Sequence, residues 1–312
     1  AIICPWLFYQ AYGDTRVIEE HFDNMVRGME FLAAKSENYT SDKIGFGDWL
    51  NLGDGTKNEV IFTAYYAYMT DIMAKMAVLI GRDSEAAHFT DLHEKIRAAF
   101  VDMFIDEEGR LLESSQTGYA LAFAFDLIPD TLREKAAQHF VAEIERFDWH
   151  LATGFIGTPR LLPALSAAGR EDVAWRLLMN TTYPSWLFQV TLGATTMWER
   201  WNGWTPDKGF ETPGMNSFNH YAFGAVGEWI FSNVAGIKAD TPAYRHITIA
   251  PKPGGGLTWA RMTYDSIQGP ITSSWRIEGD AFHLDVVVPP GVTATVCIPT
   301  SDPASVRENG KT

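Results

Sequence analysis

The chain has 312 residues, more than one hydrophobic core usually serves, so a large domain with a small companion is the starting expectation. A formal net charge of −14 sets it against phosphate backbones and anionic lipid, so neither nucleic acid nor a membrane is expected as a partner. Its two cysteines, Cys4 and Cys297, stand far apart and in no ligand or redox spacing, so no metal, cofactor or disulfide framework is expected.

The opening Ala1-Ile2-Ile3-Cys4-Pro5-Trp6 has no initiator Met and no charged leader, and it reads as the middle of a longer polypeptide. No segment carries the 18 or more apolar residues of a membrane span, and a cytoplasmic location is the default. From residue 3 to about 236 the pattern is helical. Asp14-Thr15-Arg16 opens an amphipathic run to about Lys35, with Val17, Ile18, Phe22, Met25, Val26, Met29 and Leu32 at three- and four-residue spacing. Further runs are predicted at 57–80, 84–104, 117–127, 131–146, 158–168, 171–181 and 217–234. The breaks between them are short and hold Gly or Asp, strand signals are scarce, and no fixed period repeats. These features predict an antiparallel helical array closed into an α/α barrel.

Beyond residue 240 the grammar changes. Short β-rich runs at 247–249, 257–264, 271–277, 282–288 and 294–298 are separated by Gly254-Gly255-Gly256, Gly269-Pro270, Gly279-Asp280 and Pro289-Pro290-Gly291. Short strands between Gly/Pro turns predict a small antiparallel β-sandwich. The expected division is a helical domain over 1–237 and a β domain over 238–312.

Aromatic residues are plentiful, with 11 Trp, 11 Tyr and 19 Phe, and an indole with one wet edge suits the C–H face of a sugar. The densest polar and aromatic stretch runs from Tyr183 to Tyr221 and is rich in Gly, which makes it loop and better suited to a site than a core. Within it Trp198-Glu199-Arg200-Trp201 sets a carboxylate between two indoles. Apolar walls and a neighbouring guanidinium act in opposite directions on a carboxyl, and together they suit a general base that takes a proton from water. A structural Glu199–Arg200 ion pair explains the same residues. His220 is expected at the start of the 217–234 helix, capped by Asn216 or Ser217, either as a donor to a sugar hydroxyl or as a structural residue. Gly47-Asp48-Trp49-Leu50 pairs an acid with an indole, as a binding loop or a loop anchor. Trp6 after Pro5 either lines the same cavity or begins a helix. Gly154-Phe155-Ile156-Gly157 permits close backbone approach. No G-x-S-x-G, P-loop, H-E-x-x-H or dinucleotide fingerprint is present, which leaves carboxylates among aromatics, the chemistry of glycosidic bonds.

At these positions the sequence resembles the bacterial α-L-rhamnosidases of glycoside hydrolase family 78. The stretches that carry the resemblance include Tyr9-Gln10-Ala11-Tyr12-Gly13-Asp14, Gly47-Asp48-Trp49-Leu50, Tyr183-Pro184-Ser185-Trp186 and Gly193-Ala194-Thr195-Thr196-Met197-Trp198-Glu199-Arg200-Trp201. Pro213-Gly214-Met215-Asn216-Ser217-Phe218-Asn219-His220-Tyr221 and Pro251-Lys252-Pro253-Gly254-Gly255-Gly256-Leu257 extend it over essentially the whole chain. The resemblance implies an N-terminally incomplete (α/α)6 barrel followed by a β-sandwich, and hydrolysis of terminal α-L-rhamnose with inversion, from a glycoside or polysaccharide. It implies Glu199 as general base and His220, Trp6, Asp48 and Trp49 in the rhamnose subsite; Trp201 is added for its proximity to Glu199. The family's general acid lies in an Asp-Glu-Arg-x-Gly-Trp segment that does not occur here, so the acid is expected upstream, in N-terminal domains of the same polypeptide. Two other readings stay open: a sugar-binding module without turnover, separated by affinity without release of product, and a helical-barrel glycosidase or lyase of other specificity, separated by competition between L-rhamnose and other sugars.

Overall fold

The computed structural model describes residues 1–43 and 45–308; the last four residues of the expected β domain lie outside them. It divides into two compact units. The first holds 1–3 and 18–226, the second 4–17 and 227–312.

In chain order the helices are α1 (Ile3–Tyr12), α2 (Arg16–Lys35), α3 (Asn58–Leu79), α4 (Asp83–Phe104), α5 (Gln116–Ala124), α6 (Arg133–Arg146), α7 (Thr158–Ala167), α8 (Glu171–Leu178), α9 (Trp186–Thr191) and α10 (Val226–Trp229). In the first unit the contacts sort these into hairpins. Helix α3 packs on α4, α5 on α6 and α7 on α8, while α3 and α5, and α5 and α7, also pack on each other. The helices that open each hairpin therefore touch across hairpins, and those that close it touch chiefly their own partner. Sequence explains the difference. Helix α5 is apolar almost all round, with Tyr119, Ala120, Leu121, Ala122 and Phe123 all buried, whereas α6 offers one stripe, Ala136, Ala137, Phe140, Val141 and Ile144. A helix buried on every side needs neighbours on every side, which an inner position supplies.

Short turns join the helices within a hairpin, while longer connections over 36–57, 105–115, 147–157 and 179–185 join one hairpin to the next. Because the two helices of a hairpin run in opposite directions, these longer segments emerge at one end of the helices, where Phe155 of 147–157 also meets His220 of 192–221. Buried side chains tie them together. Ser115 caps α5 by accepting from Gly118 N at 3.0 Å, and its hydroxyl meets that of Thr56 at 2.7 Å. Asp54, 4% exposed, accepts from Gln116 N at 2.7 Å and from Arg146 Nη2 at 2.7 Å. Burial pushes the Asp54 carboxyl above its ordinary value, against the pull of Gln116 N–H and Arg146. An acid raised in the folded state stabilises the fold fully below its unfolded pKa, and that contribution is lost as pH rises through the folded value. At neutral pH the charge is thus a cost, while the acceptor is needed. We expect Asp54→Asn, which keeps an acceptor for Gln116 N–H, to cost under about 1 kcal/mol, and Asp54→Ala about 2–3 kcal/mol, in urea unfolding at pH 7.

The 217–234 helix expected from the sequence does not form as one element. Residues 217–221 are irregular, a 3₁₀ turn covers Ala222–Ala225, α10 follows, and a π-turn covers Ile230–Val234. Asn216 and Ser217 cap nothing. Asn216 Nδ2 donates to Gly203 O at 2.7 Å, and the backbone of Ser217 is taken by Glu199. Tertiary bonds have claimed the groups that a helix there would use.

The second unit carries two three-stranded sheets. One is β3 (Ile237–Ala239), β4 (His246–Ile249) and β8 (Thr293–Val296), in the order β3-β4-β8; the other is β5 (Trp259–Ser266), β6 (Gly269–Glu278) and β7 (Ala281–Val287), in chain order. A two-stranded β1–β2 pair (Trp204–Thr205 with Gly209–Phe210) lies in the first unit. Ala235, Ile237, Ile247, Ile249 and Ile271 form a buried cluster, with Tyr264, Leu284 and Val286 packed against it. Ser273 Oγ and Trp275 Nε1 donate to Ala235 O and Val234 O, each at 2.7 Å. One pairing departs from the antiparallel expectation: β4 and β8 run parallel, His246 opposite Thr293. Strand β8 reaches β4 after the chain has left the other sheet at β7, and only a non-local crossing can bring strands together in the same direction.

Candidate functional site

The site builds on two segments of the first unit that run side by side. Glu199 N donates to Ser217 O at 2.8 Å, and Ser217 N returns a bond to Glu199 Oε2 at 2.8 Å. His220 N donates to Met197 O at 2.9 Å, and the Thr196 hydroxyl donates to Phe218 O. This clamp fixes the Glu199 carboxylate by one oxygen, and among the described residues Oε1 has no hydrogen-bond partner. Among the described residues no ion pair joins Glu199 to Arg200. The Arg200 carbonyl accepts from Gln189 Nε2 at 3.1 Å, and its buried Nε has no partner. A structural Glu199–Arg200 pair is therefore not what orders this segment.

Beneath the clamp lies an aromatic floor. Trp201 is 2% exposed, stacks on Phe223 at 4.1 Å and meets Trp186 edge-on at 5.6 Å. Trp186 Nε1 donates to Phe223 O at 2.9 Å, and Trp198 is buried edge-on against Phe218 at 5.1 Å. The structure places Trp201 in the buried floor under Glu199, one face of its indole on Phe223 and its buried Nε1 without a hydrogen-bond partner among the described residues. His220 stacks on Phe155 at 4.9 Å. Its Nδ1 accepts from Ala222 N at 3.4 Å, so in the neutral ring the proton sits on Nε2, a donor with no partner among the described residues.

Asp48 and Trp49, adjacent in sequence, have opposite fates. Trp49 is 49% exposed, while Asp48 is 3% exposed. Asp48 Oδ2 accepts from Thr117 Oγ1 at 2.5 Å and Gly154 N at 2.7 Å, and Oδ1 from Ile156 N at 2.8 Å and Gly157 N at 3.1 Å. Four donors occupy the acceptor positions of this carboxylate, so in this structure Asp48 anchors its loop. It pins the loop ahead of α3 to the N-termini of α5 and α7. Phe155 N donates to Trp49 O at 2.9 Å, so one set of bonds fixes both the exposed indole and the ring under His220. Gly154 is forced by the same approach: a Cβ there would stand 2.1 Å from Trp49 O.

The fold brings Trp49, Phe155, Glu199 and His220 onto linked segments. Trp6 lies on α1 in the second unit, its ring 5.6 Å from that of Tyr9. Phe155 and Ser217 were missed as site residues. Phe155 stands within the noted Gly154-Phe155-Ile156-Gly157 turn, whose glycines signal close approach; nothing local marks Ser217 as the partner of Glu199.

Residues 1–234 match the model of the bacterial α-L-rhamnosidase six-hairpin glycosidase domain, and residues 236–312 that of the bacterial α-L-rhamnosidase C-terminal domain. An α-L-rhamnosidase of Streptomyces avermitilis is 45% identical over 306 residues, 98% of this chain and 30% of that protein. One from Formosa agariphila is 39% identical over 98% of this chain and 34% of its own length. The crystal structure of the Streptomyces avermitilis enzyme complexed with L-rhamnose superposes with a TM-score of 0.93 at 46% identity, covering 97% of this chain and 29% of that one. Native α-L-rhamnosidase from Aspergillus terreus gives 0.89 at 32%, covering 95% and 36%. The chain thus spans about a third of the length of the relatives it matches. Its fold is that of an (α/α)6 barrel with a C-terminal β domain.

Proposed function

From the premise that the chain belongs to the bacterial α-L-rhamnosidase six-hairpin glycosidase family, we propose that the protein of which it forms part hydrolyses terminal α-L-rhamnosides with inversion. The observation that carries the proposal is the clamp on Glu199: a partly exposed carboxylate held through Oε2 by Ser217 N–H, with Oε1 and the Nε2 of His220, nearby in the chain, both without a partner among the described residues. Oε1 takes a proton from water as that water attacks the anomeric carbon. Trp49 offers an indole face to the C–H face of the sugar, and His220 Nε2–H donates to a ring hydroxyl. The leaving oxygen needs a proton from a second carboxyl group about 6.5–9.5 Å from the first. That donor belongs, on this proposal, to a part of the relatives' length that the chain does not span. The working division into domains is 1–237 and 238–312.

The test is incubation of the longer protein with 4-nitrophenyl α-L-rhamnopyranoside, followed by proton NMR of the first sugar released. β-L-Rhamnose is the expected product. The α anomer would replace inversion by retention, and no release at all would remove the hydrolase reading in favour of a binding module. Residues 1–312 alone are expected to release no rhamnose; turnover by them would place the proton donor within these residues.

A further inference from the structure

The sheet β5-β6-β7 has one face engaged in the core and one left to solvent. Side chains alternate along each strand: Ala260, Ile271, Ser273 and Trp275 are buried, and Leu284 and Val286 pack on the core beside them. The residues between them share the opposite face. Register aligns these across all three strands, with Trp259 opposite Arg276 and Arg276 opposite His283. The next row along is Arg261, Ser274 and Asp285.

Trp259 is 67% exposed, and its five companions in the two rows are all polar. Arg276 Nε donates to Glu278 Oε1 at 2.7 Å and its Nη1 to Asp285 Oδ2 at 3.5 Å, so the central charge is balanced and held in place. The Arg261 guanidinium, the Ser274 hydroxyl and Asp285 Oδ1 have no hydrogen-bond partner among the described residues. Chemistry limits what such a face can hold. A protein partner needs an apolar centre within about 1,200–2,000 Å² of buried surface, and one indole supplies roughly 150–250 Å². A polyanion meets a chain of net charge −14 and a central guanidinium already neutralised. A neutral sugar fits both rows. Its C–H face covers the indole, and its hydroxyls meet a guanidinium, a hydroxyl and a carboxylate oxygen in the next row. Strands about 4.8 Å apart make each row about 10 Å long, more than one sugar ring, so a chain fills it better than a monosaccharide.

We propose that this face of the second unit is a binding surface for a neutral polysaccharide, with Trp259 as its stacking platform. Binding here is independent of Glu199 and of the rhamnosidase reading. The test is native electrophoresis of the full-length protein in gels containing a neutral α-L-rhamnan or polygalacturonate, with Glu199→Gln present so that the polymer survives. Retardation by the rhamnan and not by polygalacturonate is expected. The apparent Kd should rise about tenfold in Trp259→Ala and recover in Trp259→Tyr. Without the Glu199 substitution, Trp259→Ala should keep the native thermal midpoint and the native kcat/KM for 4-nitrophenyl α-L-rhamnopyranoside. Equal retardation of Trp259→Ala overturns the proposal and places the contact elsewhere. No retardation of either form also overturns it, and a lowered midpoint in Trp259→Ala would then show the face covered by another part of the polypeptide. If the aryl rhamnoside is not cleaved, the rhamnosidase reading fails, and the gels still decide what this face holds.

Discussion

Replacing Glu199 by Gln in the full-length protein is expected to lower kcat for an aryl α-L-rhamnopyranoside by about 10²- to 10⁴-fold, the usual contribution of a general base. Glutamine keeps the shape of the side chain and can keep a carbonyl oxygen toward Ser217 N–H, so the clamp between 196–199 and 217–220 survives. What is lost is the capacity of the opposite oxygen to accept a proton from water. The loss should therefore fall on kcat, with L-rhamnose affinity and thermal midpoint close to those of the native protein. A variant that turns over as fast as the native form would show that Glu199 is a structural carboxylate and that another group activates the water. A variant that is slow because its midpoint has collapsed would show instead that Glu199 serves the loop.

The second large effect is expected at Asp48 and has the opposite signature. Asp48→Ala removes the acceptor for three backbone N–H groups, those of Gly154, Ile156 and Gly157, the first and last buried, and for the Thr117 hydroxyl. Each buried donor left without a partner costs about 1–3 kcal/mol, so a total of about 3 kcal/mol or more is expected after relaxation, read as a lower urea midpoint. Asp48→Asn should recover little, because its amide nitrogen would face two donors where an oxygen had accepted both. Activity should fall with stability, and the variants that stay folded should show a raised KM, since Trp49 and Phe155 lose the bonds that orient them. Normal stability with weakened rhamnose binding alone would make Asp48 a direct ligand of the sugar.

These two carboxylates show where sequence reasoning reaches and where it stops. Glu199 stood out because its neighbours along the chain are unusual, two indoles and a guanidinium within three positions. Asp48 stood out for a similar reason, an acid beside an indole, yet its partners lie 69 to 109 residues away, and no local signal distinguishes a carboxylate filled by such partners from one left open for a ligand. Trp201 makes the same point: two residues after Glu199 in sequence, it packs its indole against Trp186 and Phe223, contacts that no local signal announces. Ser217 and Asn216 read as helix caps, because capping preferences are local, and were drawn away by bonds to Glu199 and Gly203.

What the sequence determined by itself was what short-range periodicity and local chemistry control. The three- and four-residue spacing of apolar positions set α2 to α8 nearly to their ends, and the Gly/Pro turns beyond residue 250 marked the strands β5 to β8. The aromatic and polar concentration between Tyr183 and Tyr221 located the segment that holds Glu199 and His220. The tertiary structure alone decided which of the polar groups are spent and which remain free. That decision depends on hydrogen bonds between residues far apart in sequence, and a buried carboxylate goes to whichever donors the packing of α3, α5 and α7 brings within reach.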